Sequence, residues 1–218
     1  MDAKEVIARR IALEPKTGDL VNLGIGLPTM VASYLPREVQ VLFQAENGLI
    51  GMQPLQDPGL ADEYLADPGG SFVSAIPGAC SFDSCMSFGL IRGGHLDITV
   101  LGGLEVDEQG LLANWMVPGK MVPGMGGAMD LVTGARRVIV AMQHTVKGKP
   151  KILKSCTLPL TSIRPVSIVV TELAVLETTE RGLLLKEVAP GVTPQYVIAA
   201  TEARLIVPAD VPTMRLAQ

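Results

Sequence analysis

The sequence is poor in charged residues and in the residue types that metal sites and disulfides require. Of 218 residues only 18% are charged, compared with about 25% in an average globular protein, whereas 48% are hydrophobic. The two histidines and three cysteines form no metal-ligand pattern, and an odd number of cysteines does not suit a disulfide framework. We therefore expect no metal site, a reducing cytoplasmic location, and a surface that another protein chain partly covers.

The sequence also lacks long apolar runs and blocks of like charge. The net charge is −4 without a run of like charges, which argues against nucleic-acid binding and a basic membrane-binding face. The apolar stretch over residues 19–35 is interrupted by Asn22 and Pro28 and is shorter than a bilayer requires. The first residues are amphipathic and lack the apolar core of a signal peptide. These features predict a soluble protein with neither a nucleic-acid nor a membrane partner.

Helical and strand patterns alternate at the start of the chain. A helical stripe in "MDAKEVIARRIAL" precedes the apolar segment "DLVNL", which predicts a short buried strand. Pro28 then begins a predicted helix, "PTMVASYL", and "VQVLF" predicts a second strand that ends just before Glu46. Such a β-α-β unit builds a sheet of parallel strands covered by helices.

The rest of the chain continues the α/β pattern. Residues 52–70 predict a surface loop, 82–92 a helix, and 96–106 one long strand. Residues 111–117 can pair back on that strand, and 166–177 with 183–189 predict a hairpin. The last predicted elements are a short helix and strand within 128–142, a helix over 193–201 and a strand over 204–207. We expect one α/β domain over residues 1–218, with an open, mostly parallel sheet flanked by helices and some antiparallel hairpin strands.

Two glycine loops are candidate binding elements. The first, "NLGIGLPT", places Gly24 and Gly26 between a strand and a helix, where free backbone N–H groups can meet an anion. Its spacing is neither a dinucleotide fingerprint nor a phosphate loop, so a plain tight turn remains an alternative. The second, "GMGGAMD", contains Gly126 and Gly127, whose N–H groups could approach a developing oxyanion. A flexible surface loop is the alternative for this segment.

Glu46 lies at the end of an apolar run in "QAENGLIG". One interpretation is a solvated turn residue, because glutamate beside Asn-Gly is ordinary turn chemistry. The other is a nucleophile: a glutamate is normally ionised at neutral pH, so it can attack an activated acyl group without a general base. That chemistry requires oxyanion donors and a site from which water is excluded. The residues alone leave both interpretations open.

The remaining reactive residue types give no alternative catalytic group. His95 follows a glycine helix end and His144 follows a buried strand, and neither has the serine or cysteine neighbour of a triad. We interpret both as structural hydrogen-bonding residues. Cys80 and Cys85 are interpreted as free buried thiols.

Several long blocks resemble one family. The segments "NLGIGLPT", "ENGLIGM", "SFGLIRGGHLD", "LANWMVPGKMVPGMGGAMDLV" and "KILKSCTLPLT" are similar to the B (β) subunit of the family I coenzyme A-transferases that act on 3-oxoacids. The similarity runs along essentially the whole chain. The segments "MDAKEVIARR" and "GIGLPTMVASYLP" most resemble the acetate/butyrate:acetoacetate branch of that family.

The resemblance implies specific roles. Glu46 corresponds to the nucleophile that forms a glutamyl-CoA thioester, Gly127 to a backbone oxyanion donor, and Asn22 to a residue close to the reacting centre. Gly24, Gly26 and Gly126 are the candidate positions for binding CoA, which acts as a substrate group and not as a tightly bound cofactor. The family further implies a separate A (α) subunit in a hetero-oligomer, and acyl-CoA and short carboxylic acids as substrates.

Three positions depart from the family pattern, and two alternative functions remain. Ala45 stands where relatives usually have serine, Glu105 where many have glutamine, and Gln143 where glutamate is more common. The alternatives are a CoA-binding subunit without catalytic activity, or an acyl-CoA hydrolase on the same fold.

Overall fold

The structure is a computed structural model that describes residues 1–120, 122 and 124–218. The predicted glycine-rich segment therefore includes two residues, Met121 and Pro123, that lie outside the described residues. Helices within the described part are α1 (Ala3–Ile11), α2 (Ser84–Arg92), α3 (Ala128–Gly134) and α4 (Pro194–Ala199), with 3₁₀ helices at Leu27–Tyr34 and Pro58–Leu60.

The strands are short and follow one another closely. In chain order they are β1 (Leu20–Leu23), β2 (Leu42–Ala45), β3 (Leu49–Pro54), β4 (Val73–Ser81), β5 (Ile98–Gly102), β6 (Glu105–Asp107), β7 (Leu112–Ala113), β8 (Arg137–Ala141), β9 (Thr145–Val146), β10 (Lys149–Pro150), β11 (Ile152–Leu153), β12 (Ile168–Val170), β13 (Ala174–Thr179), β14 (Gly182–Val188) and β15 (Leu205–Ile206).

Within the described residues, ten strands form one sheet in the order β15-β14-β13-β12-β8-β5-β1-β2-β3-β4. The central strands from β12 to β2 are parallel. Antiparallel strands flank them, β13 and β14 on one side and β3 and β4 on the other. Strand β6 pairs with β7 and β11 in a smaller sheet, and β9 with β10 in a hairpin. The predicted α/β class with a mostly parallel sheet is confirmed.

Both faces of the central sheet are buried, because successive side chains of each strand point to opposite faces. Helix α1 and the first 3₁₀ helix cover one face, where Ile7 and Val31 pack with Ile98 and Ile139. Helices α2, α3 and α4 cover the other, where neighbouring strand residues such as Leu101 are buried. Helix α1 begins after Asp2, whose carboxylate accepts a hydrogen bond from the N–H of Lys4.

The strand order reverses beside β1. From β1 the chain crosses one face to β2, whereas from β5 it crosses the other face through α3 to β8. The carboxyl ends of β1 and β5 therefore flank a topological switch point, where open α/β sheets usually have their ligand crevice. Glu46 immediately follows the carboxyl end of β2, the parallel neighbour of β1.

Several predicted boundaries were wrong. The strand predicted over 39–43 is β2, which starts only at Leu42, because a turn joins the Val39 N–H to the Pro36 carbonyl. The predicted loop from Met52 begins later, because β3 extends to Pro54. The predicted long strand is split into β5 and β6, and β7 pairs back on β6 as expected.

Other features were not predicted. The segment 166–177 reverses at Thr171, whose Oγ1 accepts hydrogen bonds from the N–H groups of Leu173 and Ala174, so it forms β12 and β13 instead of one strand. Strands β3 and β4 were missed altogether. The interpretation of Cys80 and Cys85 as buried thiols was wrong, because both are exposed.

Candidate active site

Glu46 is presented by a tight hairpin turn between β2 and β3. The turn is closed by a hydrogen bond of 2.9 Å from the Gly48 N–H to the Ala45 carbonyl. Gly48 has a φ of +117°, and a Cβ at this position would overlap the carbonyl oxygen of Phe82. Only glycine therefore fits, since both the backbone conformation and the space exclude a side chain. The result is a half-buried carboxylate at the carboxyl edge of the sheet.

Asn22 holds one oxygen of this carboxylate. It lies in the middle of β1, is fully buried, and donates a hydrogen bond of 3.0 Å from Nδ2 to Glu46 Oε2. The same amide nitrogen contacts the Gln44 side-chain oxygen at 3.0 Å and the Gln44 carbonyl at 3.2 Å. Asn22 Oδ1 accepts a hydrogen bond of 3.2 Å from Thr99 Oγ1 on β5. Three parallel strands thus supply one polar cluster beneath Glu46.

The cluster extends to helix α2. Gln44 Nε2 donates hydrogen bonds of 3.0 Å to Ser87 Oγ and 3.1 Å to the Ala45 carbonyl. Asn22, Gln44, Ser87 and Thr99 are each at most 2% exposed. We call these four residues the Asn22 cluster. Buried polar groups are costly unless hydrogen-bonded, and here each side chain has a partner.

Gly127 lies beside the other carboxylate oxygen of Glu46. A Cβ on Gly127 would lie 3.3 Å from Glu46 Cγ, 3.4 Å from Glu46 Oε1 and 3.4 Å from the ring of Phe88. The residue stands immediately before α3, and its φ of −82° is an ordinary backbone value. Because Gly127 has no side chain, the "GMGG" loop can lie close to Glu46 and still leave room for its carboxylate beside β1.

The other predicted glycines are not shown in contact with Glu46. Gly24 allows β1 to approach β5, because its N–H donates to the Val100 carbonyl at 2.8 Å and a Cβ would lie 3.1 Å from that oxygen. Gly26 has a φ of +85° and precedes the first 3₁₀ helix, with open space beside it. Gly126 has a φ of +51° and likewise has open space where a side chain would lie. Their predicted role in CoA binding stays a prediction.

At the three positions that depart from the family pattern, the side chains have no described contact with the Asn22 cluster. Ala45 is buried with Leu49 and Val73, on the face of β2 opposite Gln44, so a hydroxyl at position 45 would not point to the Asn22 cluster. The Glu105 carboxylate accepts hydrogen bonds from the Thr157 N–H and hydroxyl at 2.7 Å. Gln143 is exposed.

Two other reactive groups, His144 and Cys156, are chemically unsuited to catalysis. Burial lowers the pKa of His144 to about 4, so this histidine is neutral at pH 7. Burial also raises the pKa of the Cys156 thiol to about 12, which leaves little reactive thiolate.

Among residues 1–120, 122 and 124–218, no group of three or more His, Cys, Asp or Glu residues could hold a metal ion. No helix in the described part of the chain has the length and apolarity to cross a membrane.

Sequence reasoning missed Gln44, Ser87, Thr99 and the steric role of Gly48. For Gln44 a signal was present, the same one that Asn22 shows. Both are polar residues inside short apolar strands, where an amide must find buried partners. Ser87 and Thr99 carry no such signal, because serine in a helix and threonine in a strand are ordinary. The hairpin was also visible in principle, since Asn-Gly between apolar runs is a strong hairpin signal.

Comparison with known proteins identifies the family. The Coenzyme A transferase family model matches residues 4–200. The chain is 57% identical over 219 residues to the beta subunit of acetate CoA-transferase from Haemophilus influenzae, covering 100% of this chain and 98% of that protein. It is 47% identical over 201 residues to the B subunit of succinyl-CoA:3-ketoacid coenzyme A transferase from Helicobacter pylori strain 26695, covering 92% of this chain and 97% of that protein.

A solved structure supports the fold. The crystal structure of an acyl-CoA transferase apoenzyme from Escherichia coli O157:H7 superimposes with a TM-score of 0.79 at 22% identity. The match covers 98% of this chain but only 43% of that longer chain. On the family match and the two relatives, this chain belongs to the coenzyme A transferase family.

Proposed function

We propose that this chain is the catalytic B (β) subunit of a CoA-transferase in which Glu46 carries CoA between two carboxylic acids. The observation that carries the proposal is the environment of Glu46: one carboxylate oxygen is held by a buried amide donor, and the other faces Gly127 at the switch point of the sheet. A solvated turn residue needs neither contact. The geometry favours the nucleophile interpretation that the sequence left open.

The reaction has two symmetric halves. Glu46 attacks the thioester carbonyl of the donor acyl-CoA, CoA thiolate leaves, and an acyl-glutamyl anhydride remains. The thiolate then attacks the glutamyl carbonyl, which releases the first carboxylate and leaves a glutamyl-CoA thioester. In the second half the acceptor carboxylate attacks that thioester, and the expelled thiolate attacks the acceptor's acyl carbon. The products are the new acyl-CoA and free Glu46, and neither water nor ATP is consumed.

Asn22 and Gly127 have separate tasks in this scheme. If Glu46 Oε1 bonds to the acyl carbon, Oε2 becomes the glutamyl carbonyl oxygen and acquires negative charge when thiolate or acceptor adds to the glutamyl carbon. Asn22 Nδ2, at 3.0 Å from Oε2, is already placed to stabilise that charge. The backbone N–H of Gly127 is the proposed donor to the oxyanion formed on the substrate acyl group, because the Oε1 side of Glu46 faces this residue.

The proposed substrates follow the names of the relatives. Acetate occurs in the name of one relative, and succinyl-CoA and a 3-ketoacid in that of the other. We propose a short-chain acyl-CoA as donor and a short carboxylic acid as acceptor, with a 3-oxoacid such as acetoacetate exchanged against acetate, butyrate or succinate. CoA takes part as a substrate group. The absence of a tightly bound cofactor and the cytoplasmic location stay predictions.

A second type of chain is part of the proposal. Both relatives are named as subunits, beta in one case and B in the other, and we propose a partner A (α) subunit that completes the site. Within this chain Glu46 is only half buried, although its anhydride would need protection from water. Apolar residues that adjoin the site residues in sequence are strongly exposed: Ile25 is 68%, Met86 58% and Met129 50%. A hetero-oligomer that covers these side chains accounts for both observations.

The test is a transfer assay on the chain assembled with its α subunit. Acetoacetyl-CoA is supplied with acetate, and acetyl-CoA is measured for wild type, Glu46→Gln and Glu180→Gln. Glu180 is an exposed residue in the β13–β14 turn and serves as the matched control. We expect Glu46→Gln to lower the transfer rate roughly 1,000-fold or more, as removal of a covalent nucleophile does, and Glu180→Gln to have no effect.

Each alternative function predicts a different result. A non-catalytic CoA-binding subunit requires Glu46→Gln to retain the wild-type rate. An acyl-CoA hydrolase requires free CoA to accumulate without acetate at a rate similar to that of transfer. Either result would overturn the proposal.

A further inference from the structure

The Asn22 cluster contains two amide side chains whose orientation matters. Asn22 can assist Glu46 only if its NH₂ group faces the carboxylate, because its carbonyl oxygen in that position would repel the negative charge. Nothing in an isolated amide selects one orientation over the other. The neighbours must therefore determine which end of Asn22 points to Glu46.

The orientation of the Gln44 side-chain amide is fixed by a backbone carbonyl, which can only accept hydrogen bonds. Its Nε2 lies 3.1 Å from the backbone carbonyl of Ala45, so the NH₂ end of Gln44 must point there. The side-chain oxygen of Gln44 consequently points to Asn22, at 3.0 Å from Nδ2. Ser87 Oγ, 3.0 Å from Gln44 Nε2, accepts from it in this orientation, although a hydroxyl could equally donate to an amide oxygen.

Asn22 is then held from both ends. The Gln44 oxygen requires the NH₂ group on its side, and the Thr99 hydroxyl donates to Asn22 Oδ1 on the other at 3.2 Å. These bonds lie among side chains at most 2% exposed, so water does not readily replace a lost partner. The two hydrogens of the Asn22 NH₂ group are shared among three acceptors: the Gln44 side-chain oxygen, the Gln44 backbone carbonyl at 3.2 Å and Glu46 Oε2. The backbone carbonyl favours the same orientation, and the Gln44 side chain adds to it.

We propose that Gln44 is a positioning residue for the transfer reaction, which acts on Glu46 only through the orientation of the Asn22 amide. This inference rests on the proposed function of Glu46. Thr99 has the same role from the other end of Asn22, and Ser87 supports Gln44. Gln44 itself has no described contact with the Glu46 carboxylate; it reaches the site through Asn22 and through its bond to the Ala45 carbonyl in the Glu46 turn, and the variants below distinguish these two routes.

A mutant cycle measures this dependence. Wild type, Gln44→Leu, Asn22→Ala and the double variant are assembled with the α subunit, then mixed with acetoacetyl-CoA. The rate of covalent CoA attachment to this chain is followed by rapid quenching and intact mass measurement. We expect Gln44→Leu to lower the rate roughly 10- to 100-fold when Asn22 is present, as small misplacements of reacting groups do. In the Asn22→Ala background the same change should alter the rate less than about twofold, because coupled residues are not additive.

A second variant and a control accompany the cycle. Thr99→Val conserves shape and removes only the hydroxyl, so it tests the same idea if Gln44→Leu does not fold; its rate effect should also vanish without Asn22. The control is Thr171→Val, which removes an equally buried hydroxyl from the His144 neighbourhood. That variant should lose stability and retain the wild-type attachment rate.

The outcomes distinguish a failure of the proposed function from a failure of the positioning role of Gln44. If wild type forms no covalent CoA adduct, the proposed function fails. If wild type forms the adduct and Gln44→Leu and Thr99→Val react at the wild-type rate, only the positioning role fails. A rate loss of equal factor with and without Asn22 also overturns it, because that pattern indicates a general structural effect.

Discussion

Two buried polar clusters lie at the carboxyl ends of the parallel strands, and they differ in where their hydrogen bonds end. Beyond β8, His144 is fully buried and its ring nitrogens contact Thr171 Oγ1 at 3.0 Å and Thr201 Oγ1 at 2.9 Å. Because a neutral imidazole has one donor and one acceptor nitrogen, one hydroxyl accepts from the ring and the other donates to it. The two hydroxyls also lie within 3.2 and 2.7 Å of the backbone carbonyls of Ala174 and Val197, so the cluster closes on itself. The Asn22 cluster instead ends on the half-buried carboxylate of Glu46.

The difference separates a cluster that only joins parts of the fold from one that also contacts the carboxylate proposed as nucleophile. Both clusters join neighbouring strands to a helical segment, and both satisfy their polar atoms. The histidine, the residue type that usually suggests catalysis, belongs to the closed cluster and is kept neutral by burial, which lowers its pKa. The neutral amides belong to the open cluster, where they hold an ionisable group at the surface. Residue type alone would therefore direct attention to the His144 cluster and away from the one that contacts Glu46.

Apart from replacement of Glu46 itself, the largest effect on the transfer rate is expected for Gly127→Ala. The added methyl group would lie within 3.4 Å of Glu46 Oε1 and of the Phe88 ring, closer than most such contacts, and would push the carboxylate away from its present position. We expect the transfer rate to fall roughly 10- to 100-fold, as misplacement of a nucleophile does. The backbone at Gly127 is ordinary, so the free energy of unfolding should change little.

This prediction is checked by transfer assays and denaturant unfolding on the same sample. A fully active Gly127→Ala variant would show that the "GMGG" loop does not confine Glu46. Gly26→Ala is not a suitable control, because its φ of +85° disfavours any side chain. Gly89→Ala is a better one, since Gly89 lies in α2 with open space beside it.

A smaller effect, on stability only, is expected from the titration of His144. Its pKa in the folded chain is lowered to about 4 by burial, from an ordinary value of 6.5. The unfolded chain therefore binds the extra proton first as the pH falls. The stability associated with neutral His144 is present above pH 6.5 and is lost as the pH falls toward 4, with a loss of about 2 kcal/mol between pH 7 and pH 5.

The measurement compares unfolding of wild type and His144→Gln over this pH range. Glutamine removes the titrating group, so the variant should be less stable at pH 7 but should lack this part of the pH dependence. Its transfer rate at pH 7 should match that of wild type. An identical pH dependence in the two proteins would contradict the assignment of His144 as a buried neutral residue.

The smallest effect is expected for Ala45→Ser, which restores the residue that relatives usually have. The side chain at position 45 packs with Leu49 and Val73, away from the Asn22 cluster. We expect a transfer rate within about twofold of wild type and a stability loss of about 1 kcal/mol for burying the hydroxyl. A large rate change in the same assay would show that position 45 does influence Glu46.

The sequence predicted the fold class better than it predicted strand pairing. The β-α-β start was visible because apolar strands and a helix follow each other closely. Strands β3 and β4 were missed because Gly51, Pro54 and Pro77 interrupt their patterns. The split between β12 and β13 depends on one threonine hydroxyl, which no hydrophobic pattern records.

The site was predicted in part for a similar reason. Glu46, Asn22 and Gly127 stand out by type or by family resemblance, and the structure places them together. Gln44, Ser87 and Thr99 come from three separate segments, and their hydrogen bonds depend on the pairing of β1 with β2 and β5 and on the position of α2. Such contacts arise only once the sheet is assembled, so sequence alone does not reveal them.

The most direct test of the central claim is to locate the covalent intermediate. The chain assembled with its α subunit is incubated with acetoacetyl-CoA without acceptor acid, reduced with borohydride, digested and analysed by peptide mass. The account predicts that the glutamate side chain in the peptide containing Glu46 is reduced to an alcohol, and that this change is absent from Glu46→Gln. Reduction at another residue, or none in a preparation that transfers CoA, would contradict it.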